Sequence, residues 1–279
     1  MIRAGRLWCG ASLVLLLVVC ALGAPWLAPH NPGDQDLIAI LLPPAWQPGG
    51  DPTHLLGTDG LGRDTFSRLL WGARTALEVA LGAALGAGLL GTLLAHLAGY
   101  FGGATDWLIS RAVEIWMSFP PVILALILMV GLGIGLDRVI LAIVLVDWTR
   151  FCRVLRSEVI TTTRRDYVTA ARLAGYSHAR TILREILPAT LPLLITLLSL
   201  EMGIAIVVEA ILSFVGLGVG ANRPAWGQMI ADARQSAADA PLGLLFPILA
   251  IFASVAGFNL LGDGLRRTLD VRSRVLQRA

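Results

Sequence analysis

Six stretches of this chain are apolar for long enough, or nearly so, to cross a lipid bilayer, whose hydrocarbon core takes about 20 residues of helix. They run from Leu7 to Leu27, Ala76 to Phe101, Ala112 to Val130, Val139 to Leu155, Pro188 to Phe214 and Leu242 to Leu261. Inside lipid a backbone can satisfy its own polar groups only as a helix or a closed barrel, and runs of this length suit helices. The composition agrees, with 56% hydrophobic and 15% charged residues and a mean hydropathy of +0.74. The expected fold class is an all-α integral membrane protein with six transmembrane helices. The fourth stretch is the weakest, because its apolar run ends at Val146 and Asp147, Arg150 and Arg153 follow. It reads as a helix that continues out of the bilayer, sheltered by its neighbours.

The basic residues orient the bundle. All 22 are Arg. With the amino terminus in the cytoplasm, the inside segments hold Arg3, Arg6, Arg111, the eight from Arg150 to Arg184 and the five from Arg266 to Arg278, leaving six outside. That asymmetry obeys the positive-inside rule and puts both termini in the cytoplasm. It also accounts for the pI of about 9.1 without a nucleic-acid partner. The first apolar run, about 18 residues, exceeds the 7 to 15 of a signal-peptide core, so it is expected to stay as an anchor. The resulting parts are an N-terminal end and first span (1–27), an extracytoplasmic segment (28–75), a five-helix core (76–265) with a cytoplasmic loop at about 156–188, and a cytoplasmic tail (266–279).

Within the extracytoplasmic segment, GTDGLGRD reads as a turn built on Gly57, Thr58, Asp59, Gly62, Arg63 and Asp64. Gly supplies unusual backbone angles and Asp bonds its own chain, while the aspartates lack the alternation of a calcium loop. A short amphipathic helix is expected from Thr65 into the second span. That span carries Gly82, Ala83, Ala84, Gly86, Ala87, Gly88 and Gly91, small residues that let helices approach closely in lipid. His96, near its inner end, is expected to find a hydrogen-bond partner.

Three carboxylates lie inside apolar runs: Asp147, Glu201 and Glu209. Each is costly if it faces lipid. Two readings stand side by side, a polar translocation path or pairing with Arg and backbone donors at helix breaks; Glu209 leans to the second because it precedes the break SFVGLGVG. The outer loop after that break offers Ser213, Gly216 and Gly218, then a short helix from Trp226 to Gln235 across the outer mouth, with the Trp226 indole at the membrane interface.

No metal site is expected, since Cys9, Cys20 and Cys152 form no CxxC pair and His30, His54, His96 and His178 are scattered. No catalytic motif appears either, so the chain does not read as an enzyme.

The polar interlude DYVTAARLAGYSHARTILREILPA, Asp166 to Ala189, sits between the fourth and fifth spans. Tyr167, Ala170, Ala171 and Ala174 form one narrow stripe at helical spacing, and Gly175 can end that helix in a left-handed conformation. Ser177 can cap a second helix whose stripe is Ala179, Ile182, Leu183 and Ile186. Pro188, after Leu187, then opens the next span. A DNA-reading helix-turn-helix would not be tethered at both ends to membrane spans, so the unit reads as a small-faced docking helix.

TAARLAGYSHARTILREILPA resembles the EAA loop of bacterial ABC-importer permeases. Ala170, Ala171, Gly175, Leu187 and Pro188 match that pattern, and Thr169 stands where it usually has Glu. GTDGLGRDTFSRLLWGAR, SFVGLGV, AWGQMI and FNLLGDGLRRTLDVR are similar to the C-type permease subunit of dipeptide, oligopeptide and nickel importers. The resemblance covers about Gly57 to Arg272 and implies a type I importer fold and one half of a heterodimeric pore in the bacterial inner membrane. Its implied partners are a related B-type permease, two ABC ATPases and an extracytoplasmic solute-binding protein. ATP and Mg would then be bound by the ATPases and no cofactor by this chain, which has no Lys for a Walker A loop. In that frame the helix around Asp166 to Ala174 would couple to the ATPases and move the fourth and fifth spans. Di- or oligopeptides are the expected cargo, with nickel or a metal chelate second. An ion-coupled secondary transporter relaying through the three carboxylates is the more distant alternative.

Overall fold

The computed structural model describes residues 2–269. Among these residues helix is the only extended regular structure, with an isolated bridge between Thr58 and Asp64 and no strand. In chain order the helices are α1 Ile2–Leu27, α2 Thr65–Phe101, α3 Gly103–Met117, α4 Pro121–Leu132, α5 Leu136–Thr163, α6 Asp166–Leu173, α7 His178–Thr181, α8 Leu187–Phe214, α9 Trp226–Ala233 and α10 Leu242–Leu269. A π-helical turn, Ile182–Ile186, joins α7 to α8. Residues 270–279 of the expected tail lie outside the described residues.

Among the described residues, four helices are long and apolar enough to cross a membrane: Arg6–Leu27, Thr65–Phe101, His178–Phe214 and Leu242–Arg266. The chain is therefore a multi-pass membrane protein. A fifth crossing exists if α3 and α4 together make one broken span. The expected third span, Ala112 to Val130, is not one continuous helix: α3 and α4 meet at 89°. The cause lies in Phe119, Pro120 and Pro121. A residue before proline is pushed out of the α region, Pro120 sits extended at φ −59° and ψ 127°, and Pro121 starts the next helix, where it has no N–H to lose. The expected fourth span lies within α5, whose charged residues keep it below the apolarity of the other four.

Packing centres on α2 and α5, the most extensive helix pair. Gly82 faces Ile140, Gly86 faces Val144, and Gly91 lies so close to α5 that an added Cβ would sit 2.5 Å from Phe151 Cβ and 2.5 Å from the Trp148 carbonyl oxygen. The small stripe thus sets the backbone separation, as dispersion-driven packing in lipid requires. On the opposite side of α2, Leu81, Leu85, Leu89 and Leu93 are exposed at four-residue spacing. The fully buried side chains Met129, Ile143, Phe151, Leu155, Ile206 and Leu212 fill the interior between α2, α4, α5 and α8. α1 and α10 pack on each other and flank this centre.

Two expectations about helix boundaries change. The amphipathic start at Thr65 and the second span are one helix of 37 residues, about 55 Å long at 1.5 Å per residue. At the other boundary the chain from His178 to Phe214 does not restart at Pro188: α7, the π turn and α8 run on without a break, because Leu187 and Pro188 fall where the wider turn already leaves the i−4 partner unused.

Candidate functional site

At the carboxyl-terminal end of α2, the short helix expected around Asp166 to Ala174 is present as α6, with its turn at Gly175 formed as expected. The Tyr176 N–H donates to the Ala171 carbonyl at 3.1 Å and the Gly175 N–H to that of Arg172 at 3.0 Å, the paired bonds of a Schellman cap. Gly175 has φ +86° and no atom within 4 Å of where a Cβ would be, so the backbone angle alone demands glycine. The Ser177 hydroxyl accepts from the Arg180 N–H and caps α7.

The anchoring face of α6 differs from the stripe read from sequence. Val168 is buried against Val159 and Ile186, whereas Tyr167, Thr169, Ala170 and Ala174 are exposed and Ala171 is half-buried. Asp166 stands in the first turn, where its charge complements the helix dipole. Leu173 and Leu183 are also exposed, at 85% and 61%. Tyr100 at the end of α2 completes the mount. Its hydroxyl accepts from Arg172 at 2.9 Å and lies 2.9 Å from His178 Nδ1. Arg172 also sits over the Tyr100 ring. Sequence reasoning missed Tyr100, Val168, Arg172 and His178; the signal was present only as an aromatic at a helix end, remote in the chain.

Midway along α5 and α8, Arg150 bridges two of the three carboxylates that lie inside apolar runs. It donates to Asp147 Oδ1 at 3.2 Å and to Glu201 Oε2 at 3.1 Å. Asp147 and Glu201 are almost fully buried, while Arg150 reaches a cavity lined also by Val122, Ile143 and Asn259. The other oxygen of Glu201, Oε1, is buried without a partner. Glu209 is apart from this cluster; its carboxylate accepts from the Ser213 hydroxyl at 2.6 Å, a side-chain donor and not the Arg or backbone donor expected. His96 is likewise satisfied, through the Thr92 carbonyl at 2.8 Å.

At the amino-terminal end of α2, the GTDGLGRD turn is fastened to α9. Arg63 donates to Asp59 at 2.7 Å and to Asp232 at 2.7 Å, and Arg68 bonds the same two carboxylates. The Leu61 and Arg63 N–H groups also point at Asp59. Burial works against the Asp59 charge, but Arg68, the Leu61 amide and Arg63 outweigh it and hold this carboxyl below the usual range. Gly57 and Gly62 take positive φ, Thr58 binds the Ala39 carbonyl, and the Asp64 side chain caps α2 by accepting from the Ser67 N–H at 2.8 Å.

The break after α8 uses the same cap as α6: Leu217 N–H donates to Leu212 and Gly216 N–H to Ser213, with Gly216 at φ +86°. Gly218 packs against Ser213. The expected short helix is present as α9 with a 3-10 extension, Arg234–Ser236. Trp226 is not at an interface. It is 3% exposed, lies over Gly72 and donates its indole N–H to the Leu69 carbonyl at 3.1 Å, because a buried indole needs an acceptor and α2 supplies one.

Residues 87–275 match the family model described as binding-protein-dependent transport system inner membrane component, and residues 7–44 match the N-terminal transmembrane domain of oligopeptide transport permease C. The chain is 41% identical to the di/tripeptide transport system permease protein of Pseudomonas aeruginosa over 94% of its length and 86% of that protein's. It is 42% identical to the dipeptide transport system permease protein of Escherichia coli K12, covering 94% of this chain and 87% of that one. Identity to the nickel transport system permease protein of the same strain is 40%, over 92% and 91%. This chain belongs to the family of binding-protein-dependent transport system inner membrane components.

Proposed function

We propose that the chain is one half of the translocation pore of an ATP-driven importer for di- or oligopeptides. Its partners in this reading are a related B-type permease, two ABC ATPases that bind ATP and Mg, and an extracytoplasmic solute-binding protein. α3, α4 and α5 complete a six-span topology with both termini in the cytoplasm, which puts α6 in the cytoplasm and the GTDGLGRD turn outside.

The observation that carries the reading is the mount of α6. Its apolar and small residues Tyr167, Ala170 and Leu173 are exposed, while Val168 and the Tyr100 contacts hold it rigidly on α2 and α5. A helix that presents an unpartnered face on a fixed base is suited to seat in a cleft of the ATPase. Closure of the ATPases would then move α6 as a lever and select between two packings of α5 and α8. The carboxylates Asp147 and Glu201 with Arg150 line or border the path in this scheme.

Two measurements test it. A cysteine at Ala171 should crosslink to the ATPase subunit in the assembled transporter, and a crosslink only within this chain overturns the docking. Uptake of labelled dipeptide into proteoliposomes should require both ATPases and the binding protein. The similarity to a nickel permease favours one second reading, import of nickel or a metal chelate. Calorimetry of the cognate binding protein with dipeptides and with nickel separates the two.

A further inference from the structure

His30, His54 and Asp64 are far apart in sequence, yet they converge beside the start of α2. His30 follows the end of α1, His54 lies on the α1–α2 loop, and Asp64 caps α2. One ligand atom from each lies within 4.8 Å of the other two. His54 Nδ1 is 3.0 Å from Asp64 Oδ1, and His30 Nδ1 is 3.9 Å from Asp64 Oδ2. The imidazole rings stack with centroids 4.7 Å apart at 26°.

Three features suit this cluster to a cation. Buried imidazole nitrogens ordinarily have a hydrogen-bond partner, and His30 Nδ1 is buried with none, although 37% of its side chain meets solvent. Two imidazoles and a carboxylate are a common ligand set for Zn²⁺. Ligand atoms on a tetrahedral zinc at 2.0–2.1 Å stand about 3.3 Å from each other, so three atoms that already lie within 4.8 Å of one another need to draw in only slightly to share one ion. The cluster is also held from outside: the Ser67 N–H bonds Asp64 Oδ2 at 2.8 Å, and the Ser67 hydroxyl accepts from the His30 N–H at 3.1 Å. Such outer contacts fix ligand orientation.

We propose that His30, His54 and Asp64 form a site for a divalent transition-metal cation, with Zn²⁺ the best fit and the fourth position open to water. The bound ion ties the exit of α1 and the long loop to the first turn of α2, so that binding stabilises the fold. The site is independent of whether peptides or nickel are transported. A proton is the rival occupant, since one imidazolium facing Asp64 fills the same space.

The test uses the full-length chain in lipid nanodiscs, stripped with chelator and titrated with Zn²⁺ or Co²⁺ alone. One ion per chain is expected, with a rise in Tm on Zn²⁺ addition and visible Co²⁺ absorption of a tetrahedral site. His30→Ala and His54→Gln should each weaken binding by about a hundredfold, the upper end of what loss of an outer-shell partner alone costs. Should either variant fold poorly in chelator, Asp64→Asn removes the ligand charge while keeping a competent helix cap. Wild-type stoichiometry, Tm response and Co²⁺ spectrum matching those of the variants would overturn the proposal and leave the proton as occupant.

Discussion

Arg172 on α6 donates to the hydroxyl of Tyr100 on α2 across 2.9 Å, so the helix proposed to receive the ATPase stroke is fastened to the helix at the centre of the bundle. Tyr100→Phe removes that acceptor and the contact to His178 but keeps the ring. An exposed bond of this kind contributes about 0.5–1.5 kcal/mol, so the variant should fold. We expect uptake per ATP hydrolysed to fall while basal ATPase activity stays close to wild type, read in proteoliposomes. An unchanged ratio refutes a role for the fastening in coupling.

Gly175 is required for its backbone angle and not for space. Asn, which tolerates left-handed geometry, should therefore be accepted there. Ala should cost about 1–2 kcal/mol and Val more, since a β-branched residue at positive φ is a true outlier. Transport coupling across the three variants should follow that order. Equal transport by the Val variant would show that the Schellman turn is dispensable.

Arg150 bonds both Asp147 and Glu201 from a partly exposed position. Removing one partner of a buried charge pair costs about 3–5 kcal/mol, and the partial exposure of Arg150 puts Arg150→Met at the lower end. Adding Asp147→Asn and Glu201→Gln to that variant should recover most of the stability, because no unpaired charge is then left. Thermal unfolding in detergent measures both. If the triple variant remains as unstable as the single one, packing and not charge explains the loss.

The folded-state pKa of Asp59 is depressed, so its contribution to stability is complete above the unfolded value of about 3.9 and is lost as pH falls below it. Between about pH 5 and pH 3 the wild type should lose more Tm than Asp59→Asn, which has no charge to protonate. Parallel acid profiles for the two proteins would remove Asp59 as the pH-sensitive tie between the turn and α9.

The helices and their caps were legible because they rest on local chemistry. Gly175, Ser177, Gly216 and the glycines of the GTDGLGRD turn act within a few residues of themselves, and the structure bears out each turn. The broken span at Pro120 was written in the sequence as two consecutive prolines, but an unbroken apolar run outweighed them in the reading. Convergence across the chain was not legible. Nothing local joins Tyr100 to Arg172, Arg63 to Asp232, or His30 to His54, since the first two pairs depend on how the helices pack and the third on how the loop between α1 and α2 folds back on itself. Trp226 was misjudged for the same reason. A tryptophan in an outer loop suits an interface by composition, and only the approach of α9 to Gly72 makes it a buried plug.

One uninterrupted rod of 37 residues carries Ser67, Arg68 and Leu69 at its first turn and Tyr100 at its last. Tyr100 and the contacts of Arg68 and Trp226 thus share one continuous hydrogen-bonded helix, so a displacement applied at one end has a direct backbone route to the other.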